Sequence, residues 1–285
     1  MQKILNYIEL VKPRLTAMAL FSGAIGYLAA LSPTVDIPWL TLFHLVTALA
    51  FVGAASNIMN QAMEHKLDAM MDRTVDRPIP SGRVHKENAQ ILSITCLIIG
   101  LLYLQIKFDS LVTFLGFLTF LSYVVIYTPM KTRSSLNTVV GALPGALPIL
   151  TGWVACREQP DFQGFVVFSI IFVWQLPHFF SIAWIYKEDY KRAGYKMMSL
   201  YDETGKQAVV LIIVGTLGLI AVSFLPFLVK HTGDLYLIGS FPANALLFTT
   251  SLLLIKDRNK YMKLYFYGSI TWLPYMLTLM VFDRI

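Results

Sequence analysis

The sequence predicts an all-α protein that crosses a membrane several times, and three observations support this. Hydrophobic residues make up 56% of its 285 residues and charged residues only 14%, whereas soluble domains carry about 25% charged residues. Apolar runs of about 20 residues, the length of a membrane-spanning helix, recur along the chain. Basic residues gather between alternate runs. No linker divides the chain, so we expect a single transmembrane domain over residues 1–285, with acidic loops at 60–83 and 186–200 on the cytoplasmic side.

Nine spans are predicted, and the basic residues orient them. They lie near residues 14–33, 39–60, 89–106, 109–128, 137–155, 163–185, 207–229, 234–255 and 263–282. With the N-terminus inside, the outer segments hold only Lys107, Arg157, Lys230 and Arg284 of the 23 basic residues. Because basic residues concentrate on the cytoplasmic side, we expect the N-terminus to be cytoplasmic and the C-terminus to lie outside. This bias also explains the net charge of +6 and argues against nucleic-acid binding.

The chain begins with a segment that favours a short amphipathic helix at the inner surface. Residues 1–14 show neither a cleavage site nor an Arg/Ser-rich transit character, and Pro13 opens the first span. That span contains Ser22, Gly23 and Gly26, small residues that allow close helix contact. The two cysteines have neither a metal-binding spacing nor a disulfide framework.

The second span leads into the stretch NQAMEHKLDAMMDRTVDRPIPSGR, residues 60–83. Asn60, Glu64, Asp68 and Asp72 are spaced four residues apart. On a helix such residues stack on one face, and the first three fall within about 80° of one another. Carboxylate and amide oxygens are the ligands of hard cations such as Mg2+. The spacing therefore predicts a metal site at the inner end of this helix.

Arginines follow the acidic positions. We expect Pro78 and Pro80 to end the helix, after Arg73 and Arg77 and before Arg83. The guanidinium fork matches phosphate oxygens, so the stretch indicates a Mg2+–diphosphate site at the membrane surface. The alternative is a charged, solvated loop. Ionisable groups that begin near membrane depth favour the functional interpretation.

The ends of the fourth and fifth spans hold a second polar cluster and a proline-rich helix. Tyr127, Lys131 and Arg133 should lie at the inner interface, either contacting phosphate or acting as an interfacial aromatic with snorkelling basic residues. The segment GALPGALP, residues 141–148, contains prolines, which leave backbone carbonyl groups of the helix without a hydrogen-bond donor. It predicts either a kinked helix that lines a cavity or close bundle packing.

The sixth span carries Trp174, Gln175 and His178 among aromatic residues. An intramembrane histidine is often a hydrogen-bonded structural residue, but this aromatic setting also fits a pocket for a large, flat molecule. Glu188 and Asp189 follow at the inner end. An even number of crossings separates the second and sixth spans, so both acidic ends should meet at one face and clamp a diphosphate through Mg2+.

Five motifs in these segments together resemble one known family. They are N-Q-x-x-E-x-x-x-D-x-x-M-x-R-T-x-x-R-P at 60–78, Y-T-P-x-K at 127–131, G-A-L-P-G-A-L-P at 141–148, W-Q-L-P-H-F at 174–179 and E-D-Y-x-x-A-G at 188–194. The chain from Lys12 to about residue 200 resembles the protoheme IX farnesyltransferase (haem O synthase) family of UbiA-type intramembrane prenyltransferases. The acidic stretch marks the superfamily, and the third and fourth motifs mark the haem branch.

The resemblance implies a UbiA-type bundle of nine transmembrane helices with a central cavity. It implies transfer of the farnesyl group of farnesyl diphosphate to a vinyl group of haem B, giving haem O and diphosphate, with Mg2+ as cofactor. Asn60, Glu64 and Asp68 match the family's N-x-x-x-D-x-x-x-D motif, with Glu where many relatives have Asp. The second motif of the superfamily usually has two aspartates four residues apart. Here Ala193 lies at that distance from Asp189, which is a departure from the pattern.

The resemblance also implies roles for individual residues. The expected catalytic residues are Asn60, Glu64, Asp68, Tyr127 and Lys131. The expected diphosphate-binding residues are Arg73, Arg77, Lys131 and Arg133. The expected haem-binding residues are His178, Trp174 and Gln175, with His178 as axial ligand or propionate partner. The expected metal ligands are Asn60, Glu64, Asp68, Asp72, Glu188 and Asp189.

Two other functions fit parts of the sequence. A prenyltransferase acting on an aromatic or quinone-precursor acceptor would use the same diphosphate site. A membrane transporter would also have intramembrane prolines and small residues, but its polar groups would lie at the midplane, whereas these lie at the inner ends of spans. The expected partners are farnesyl diphosphate, haem B, the lipid bilayer and a downstream haem A synthase or terminal oxidase.

Overall fold

The computed structural model describes residues 2–200 and 202–285, which fold into helices joined by short turns. Met1 and Tyr201, which the predicted domain includes, lie outside the described residues. The helices are α1 Gln2–Leu10, α2 Pro13–Ala30, α3 Trp39–Asp68, α4 Lys86–Lys107, α5 Ser110–Leu121, α6 Thr128–Met130, α7 Asn137–Arg157, α8 Phe162–Ile185, α9 Lys187–Arg192, α10 Lys206–Ser223, α11 Leu225–Leu228 and α12 Asp234–Phe282. A π-helical turn, Ser122–Tyr127, joins α5 to α6. The predicted all-α class is confirmed.

Seven helices in the described ranges are long and apolar enough to cross a membrane. One of them, α12, contains a break at Asp257, whose φ of −157° and ψ of 96° are not helical. The break falls between the predicted spans 234–255 and 263–282. The 18-residue helix α2 is not among the seven. The count of nine spans therefore stays a prediction.

The boundaries between spans follow from capping residues. Asp109 accepts a hydrogen bond from the backbone N–H of Val112 at 2.8 Å and opens α5. Asp161 does the same for Gly164 at the start of α8, also at 2.8 Å. Such caps satisfy backbone donors that the first helical turn leaves free. The expected division between the third and fourth spans is therefore confirmed.

Small residues bring α2 and α7 into close contact, as expected for the first span. A Cβ at Gly26 would overlap the backbone of Ile149, and a Cβ at Gly152 would overlap the carbonyl of Gly23. Because these positions lack side chains, the two backbones touch. Both helices contribute to the two largest clusters of buried apolar residues, so this pair lies at the centre of the bundle.

The end of α3 differs from the prediction. The helix ends at Asp68, well before Pro78 and Pro80, and Asp72 lies in the following turns. The hydroxyl of Thr74 donates to the carbonyl of Asp68 at 2.7 Å. This bond satisfies one of the carbonyls that the helix end exposes, so the chain turns without needing a proline. The prediction that Pro78 and Pro80 end this helix was wrong.

The turns after α3 are held against the N-terminal helix. Arg83 donates to Asn6 Oδ1 and to Glu9 Oε2 on α1, each at 2.8 Å. The predicted N-terminal helix is thus present, and it carries exposed apolar residues such as Ile4 and Ile8. Arg83, in the acidic stretch of the sequence, serves here to brace the loop against α1.

Candidate active site

A cavity of about 80 Å³ lies at the end of the bundle where α3 terminates. Segments that are distant in sequence surround it: the start of α2, the last turns of α3, the loop after α3, the π-helical turn and the segment that follows α9. The lining residues are Lys12, Asn60, Glu64, Asp68, Met71, Arg73, Arg77, Tyr123, Tyr127, Lys131, Tyr190, Tyr195 and Met197.

The oxygen-bearing side chains of α3 form one wall of this cavity. Asn60, Glu64 and Asp68 are 1%, 4% and 0% exposed, respectively. Their four-residue spacing places them one above the next on the same helix face, as predicted. Burying a carboxylate costs several kcal/mol unless it is paired. The two carboxylates therefore require cationic partners from other segments.

Both carboxylates have such a partner. Arg77 Nη1 donates to Asp68 Oδ1 and Oδ2 at 2.9 and 2.8 Å. Lys131 Nζ lies 2.8 Å from Glu64 Oε1 and donates to Oε2 at 2.9 Å. The structure thus brings together four residues that the sequence predicted for metal and diphosphate binding.

Asn60 connects these pairs to a third cation. Its Nδ2 donates to Glu64 Oε2 at 2.8 Å and to Thr128 Oγ1 at 3.0 Å. The Nδ2 group of Asn60 is engaged by these two acceptors. Its Oδ1 accepts a hydrogen bond from Lys12 Nζ at 2.8 Å. Each of the three oxygen-bearing residues on α3 therefore has its own basic partner.

Lys12 is a site residue that the sequence analysis missed. It adopts a left-handed conformation, with φ 52° and ψ 68°, directly before Pro13. Such strain in a residue with a side chain is typical of functional positions. Burial, followed by the charges of Arg77 and Lys131, lowers the pKa of Lys12 to about 7. The only signal in the sequence was the Lys-Pro-Arg segment before the first span, which also fits an ordinary interfacial lysine.

Tyr127 lies beside Lys131, as their spacing predicted. The ammonium group of Lys131 is 4.8 Å from the centre of the Tyr127 ring, and the rings of Tyr123 and Tyr127 are 5.6 Å apart. Both tyrosines belong to the π-helical turn, a feature that often marks functional sites. A Cβ at Gly141 would overlap the Tyr127 ring, so one glycine of the GALPG segment makes room for this side chain.

The remaining predicted diphosphate-binding arginines are placed differently. Arg73 lines the cavity, and its guanidinium group lies 4.6 and 4.5 Å from the ring centres of Tyr186 and Tyr190. Arg133 is exposed and is not part of the lining. The geometry supports the expected role for Arg73 and gives no support for Arg133.

The second group of acidic residues meets the first at the same end of the bundle, as the count of crossings predicted. Asp189 accepts a hydrogen bond from the backbone N–H of Asp72 at 3.2 Å and pairs with Arg192. Arg192 also lies 2.7 Å from Asp72 Oδ2. Burial acts to raise the pKa of Asp189, but hydrogen bonds from Arg192 and from the Asp72 and Arg73 backbone lower it. In the described ranges, no group of three or more His, Cys, Asp and Glu residues is arranged to hold a metal.

His178 is packed inside the bundle rather than in the acidic cavity. Its Nδ1 forms a 2.8 Å hydrogen bond with Ser269 Oγ, and its ring stacks on Trp174 and Phe266 at 4.5 and 5.1 Å. Trp174 Nε1 donates to the Ser269 carbonyl at 2.8 Å. These contacts fix the histidine orientation, and haem binding by His178 and Trp174 stays a prediction.

Gln175 joins α8 to α7. Its Nε2 donates to the Ala142 carbonyl at 3.0 Å, and its amide occupies the space that a side chain at Gly145 would fill. Gln175 is not in the lining of the acidic cavity. The GALPG segment thus serves bundle packing at this position, which was one of the two alternatives.

The cavity combines oxygen ligands for a hard cation with donors for an anion. Four basic side chains line it, Lys12, Arg73, Arg77 and Lys131, against two carboxylates. Arginine and lysine favour phosphate groups, and carboxylates favour Mg2+. An anion that carries its own divalent cation would satisfy both sets of groups together.

Solved structures share the fold of the chain. A digeranylgeranylglyceryl phosphate synthase has a TM-score of 0.81 at 19% sequence identity, and the match covers 99% of each chain. A UbiA homologue from Archaeoglobus fulgidus, solved with DMAPP and Mg2+ bound, has a TM-score of 0.69 at 15% identity and covers 96% of this chain and 99% of that chain.

Similarities in sequence agree with the fold. A protoheme IX farnesyltransferase from Solibacter usitatus is 38% identical over 244 residues, covering 82% of this chain and 83% of the relative. The protein of the same name from Opitutus terrae is 35% identical over 285 residues, covering 99% and 96%. The UbiA prenyltransferase family matches residues 19–273. The chain therefore belongs to the UbiA prenyltransferase family.

Proposed function

We propose that this protein transfers the farnesyl group of farnesyl diphosphate to a vinyl group of haem B. The reaction forms a carbon–carbon bond to the vinyl group, releases diphosphate and takes up one water molecule, giving the hydroxyethylfarnesyl group of haem O. Relatives named protoheme IX farnesyltransferase, among them one that is 39% identical over 242 residues, support this reaction. Membership of a prenyltransferase family supports the donor half independently.

One observation about the site carries the proposal. The three oxygen-bearing side chains of α3 are each paired with a different cation, and these cations come from three separate segments. A Mg2+–diphosphate group offers both halves of each pair a new partner, since the metal takes the α3 oxygens and the phosphates take the cations. The site thus has more positive than negative side chains, and it is complementary to an anion that brings a divalent cation.

The α3 residues fit a divalent cation. Glu64 Oε1 is buried and accepts no hydrogen bond from the described residues, although the Lys131 ammonium lies beside it. Together with Asn60 and Asp68, Glu64 would hold Mg2+, as hard cations prefer oxygen ligands. When bound, the ion supplies positive charge to the diphosphate oxygens. The Archaeoglobus fulgidus homologue was solved with Mg2+ and a prenyl diphosphate.

The residues of the chain act mainly on the leaving group. Lys131, Arg77 and Arg73 hold the diphosphate and stabilise the charge that develops as the allylic carbon–oxygen bond breaks. Lys12 contributes a further positive charge and orients Asn60. The face of the Tyr127 ring stabilises the allylic cation, which the haem vinyl carbon then attacks. We propose His178 as the residue that contacts haem, through Nε2, since Nδ1 is engaged by Ser269.

We further propose that residues 1–285 form one transmembrane domain in the bacterial cytoplasmic membrane, with the acidic end facing the cytoplasm. The match to the family over residues 19–273 and the alternation of basic segments support this. The product, a large hydrophobic haem, would pass to a haem A synthase or a terminal oxidase. The acidic end would then receive water-soluble diphosphate groups from the cytoplasm.

Turnover by the purified full-length protein tests the proposal. The protein in detergent is incubated with haem B, farnesyl diphosphate and Mg2+, and the extracted haem is analysed by mass spectrometry. We expect a mass gain equal to the hydroxyethylfarnesyl group, its loss with a chelator and its return on adding Mg2+. Replacing Mg2+ with Ca2+, which prefers a larger shell of oxygen ligands, provides a control for charge alone.

Two results would contradict the proposal in different ways. Prenylation of an aromatic acid without any haem product would retain the diphosphate site and remove haem as the acceptor. If folded protein gave no prenylated product with any acceptor, the result would favour the transporter.

A further inference from the structure

Arg192 occupies the position between the acidic residues that were expected to hold a second metal ion. We propose that its guanidinium group replaces that ion, joining Asp72 to Asp189 and thereby holding Arg73 at the mouth of the diphosphate cavity. The inference rests on the proposed prenyl diphosphate transfer, because it concerns how that site is held in shape. On this proposal the site binds one metal ion rather than two.

One oxygen of each aspartate in this second group is already engaged. Asp189 Oδ1 accepts from the Asp72 backbone N–H at 3.2 Å and from Arg192. Asp72 Oδ2 lies 2.7 Å from Arg192 Nη2. The side chain of Glu188 is 72% exposed, and its ion-pair partner, Lys187 Nζ, lies 3.9 Å away. A Mg2+ site requires several oxygens directed at one point, and these residues do not provide it while Arg192 lies between the two aspartates.

The sequence change and the contact explain each other. The second motif of the wider UbiA superfamily has an aspartate four residues after the first, whereas the segment E-D-Y-x-x-A-G has Ala193 there. One residue earlier, Arg192 lies a single helical turn from Asp189 and reaches it along α9. The guanidinium group of Arg192 therefore takes the place of an exchangeable metal ion. One carboxylate fewer is then needed to balance the positive charge.

The bridge from Arg192 positions Arg73 because the segment around α9 holds both the backbone beside Arg73 and its guanidinium group. The backbone next to it is fixed by the Asp72–Asp189 hydrogen bond. Its guanidinium group is sandwiched against the rings of Tyr186 and Tyr190, at 4.6 and 4.5 Å. Those rings flank Asp189 on the chain. Arg192 is thus a positioning residue that acts through Arg73, which lines the cavity with Glu64 and Asp68.

Metal counting provides the test. The full-length protein is titrated with Mn2+ in the presence of farnesyl thiodiphosphate, an unreactive donor analogue, and bound Mn2+ is counted by electron paramagnetic resonance. We expect one Mn2+ per chain in the wild type. Arg192→Ala frees the carboxylates of Asp72 and Asp189, so a second, weaker Mn2+ should appear. Arg192→Lys keeps the positive charge and should keep the count at one.

Analogue affinity supplies a second readout. Arg192→Ala should weaken binding of the thiodiphosphate about tenfold, the scale expected when a supporting residue is lost. Adding Arg73→Ala to that variant should cost little more, because residues that act through one another are not additive. Lys191→Ala, which removes a neighbouring exposed cation, is the matched control and should leave both the metal count and the affinity unchanged.

The outcomes separate this inference from the proposed function. Two Mn2+ ions of similar affinity in the wild type would overturn the inference and leave farnesyl transfer intact. Unchanged analogue affinity in a folded Arg192→Ala protein would overturn the positioning role. Failure of the folded wild type to bind either Mn2+ or the analogue would remove the proposed function itself. Should Arg192→Ala not fold, Asp189→Asn breaks the same bridge, and the same loss of analogue affinity is expected.

Discussion

Two groups of acidic residues meet at one end of this bundle, and they differ in almost every physical respect. The first, Asn60, Glu64 and Asp68, lies on one helix face, is buried and lines a cavity. The second, Asp72, Glu188 and Asp189, lies in turns and on a short helix, and Arg192 from its own segment pairs with both aspartates. Both groups consist of oxygen-bearing side chains, but the first lines the enclosed acidic cavity, whereas the second lines an open groove together with Arg192.

The difference shows that carboxylate spacing alone does not define a metal site. Asp72 continues the four-residue spacing of α3 in the sequence, but the helix ends before it, so it leaves the shared face. Buried carboxylates must be paired, and removing one partner from a buried pair typically costs about 3–5 kcal/mol. Exposed ion pairs contribute little. Substitutions in the first group should therefore have larger effects than the same substitutions in the second.

The largest effect is expected at Asp68. Asp68→Asn retains the size of the side chain but removes the charge that holds Arg77 and contributes to the metal site. We expect turnover to fall by about 10²–10³-fold or more, the scale seen when a charge-stabilising group is removed, with the protein still folded. The measurement is haem product per unit time in the assay described above.

Asp76→Asn provides the control for Asp68→Asn. Asp76 is an exposed carboxylate in the same loop, and neutralising it should leave turnover unchanged. Equal losses in the two variants would mean that the general charge of the loop, rather than the buried pair, supports activity. The contrast between the first group and its surroundings would then disappear.

A smaller effect is expected at Lys12. Its loss leaves Asn60 without the donor that fixes its Oδ1 and removes one cation from the cavity. Lys12→Ala should weaken binding of Mg2+ and farnesyl thiodiphosphate by about 10–100-fold, as for other residues that orient ligands. Arg14→Ala, an exposed basic residue two positions away, should bind normally. Normal binding by Lys12→Ala would exclude Lys12 from the site.

Substitutions of Tyr127, the aromatic residue beside the first group, should have an intermediate to small effect on turnover. Tyr127→Phe retains the ring face beside Lys131 and should change turnover by less than about threefold. Tyr127→Leu removes the ring and should lower turnover about tenfold, since cation–π contacts contribute on the order of 1–2 kcal/mol. Analogue binding, measured in parallel, should change little in either variant. A large loss in Tyr127→Phe would assign the function to the hydroxyl rather than to the ring.

The sequence was sufficient to predict the first group because helical periodicity is a local property. The positions of Asn60, Glu64 and Asp68 follow from their spacing alone, and the partnership of Tyr127 with Lys131 follows in the same way. Composition and the charge bias were likewise enough to predict a helical membrane protein. The helical positions depend on residues within one or two turns of each other, and the composition and charge bias are sums over the chain that need no knowledge of contacts.

The features that were not predicted depend on side-chain contacts that periodicity does not specify, several of them between distant segments. Lys12 reaches Asn60 across 48 positions of sequence, and nothing local distinguishes it from an interfacial lysine. The end of α3 depends on a hydroxyl of Thr74 that folds back on the helix. The state of Asp189 depends on Arg192 and on a backbone N–H more than 100 positions away. Periodicity contains no information about such partners.

The smallest effect is expected at Glu188, and it gives the sharpest contrast because the same substitution can be made in both groups. Glu64→Gln removes a buried charge that holds Lys131, and it should reduce turnover strongly, as Asp68→Asn does. Glu188→Gln changes an exposed side chain that lines two open grooves but not the acidic cavity, and surface changes away from a site have small effects. We expect its turnover and its Mg2+ dependence to stay within about twofold of wild type. A loss in Glu188→Gln equal to that in Glu64→Gln would place a second metal ion beside Asp189, and the distinction between the two groups would fail.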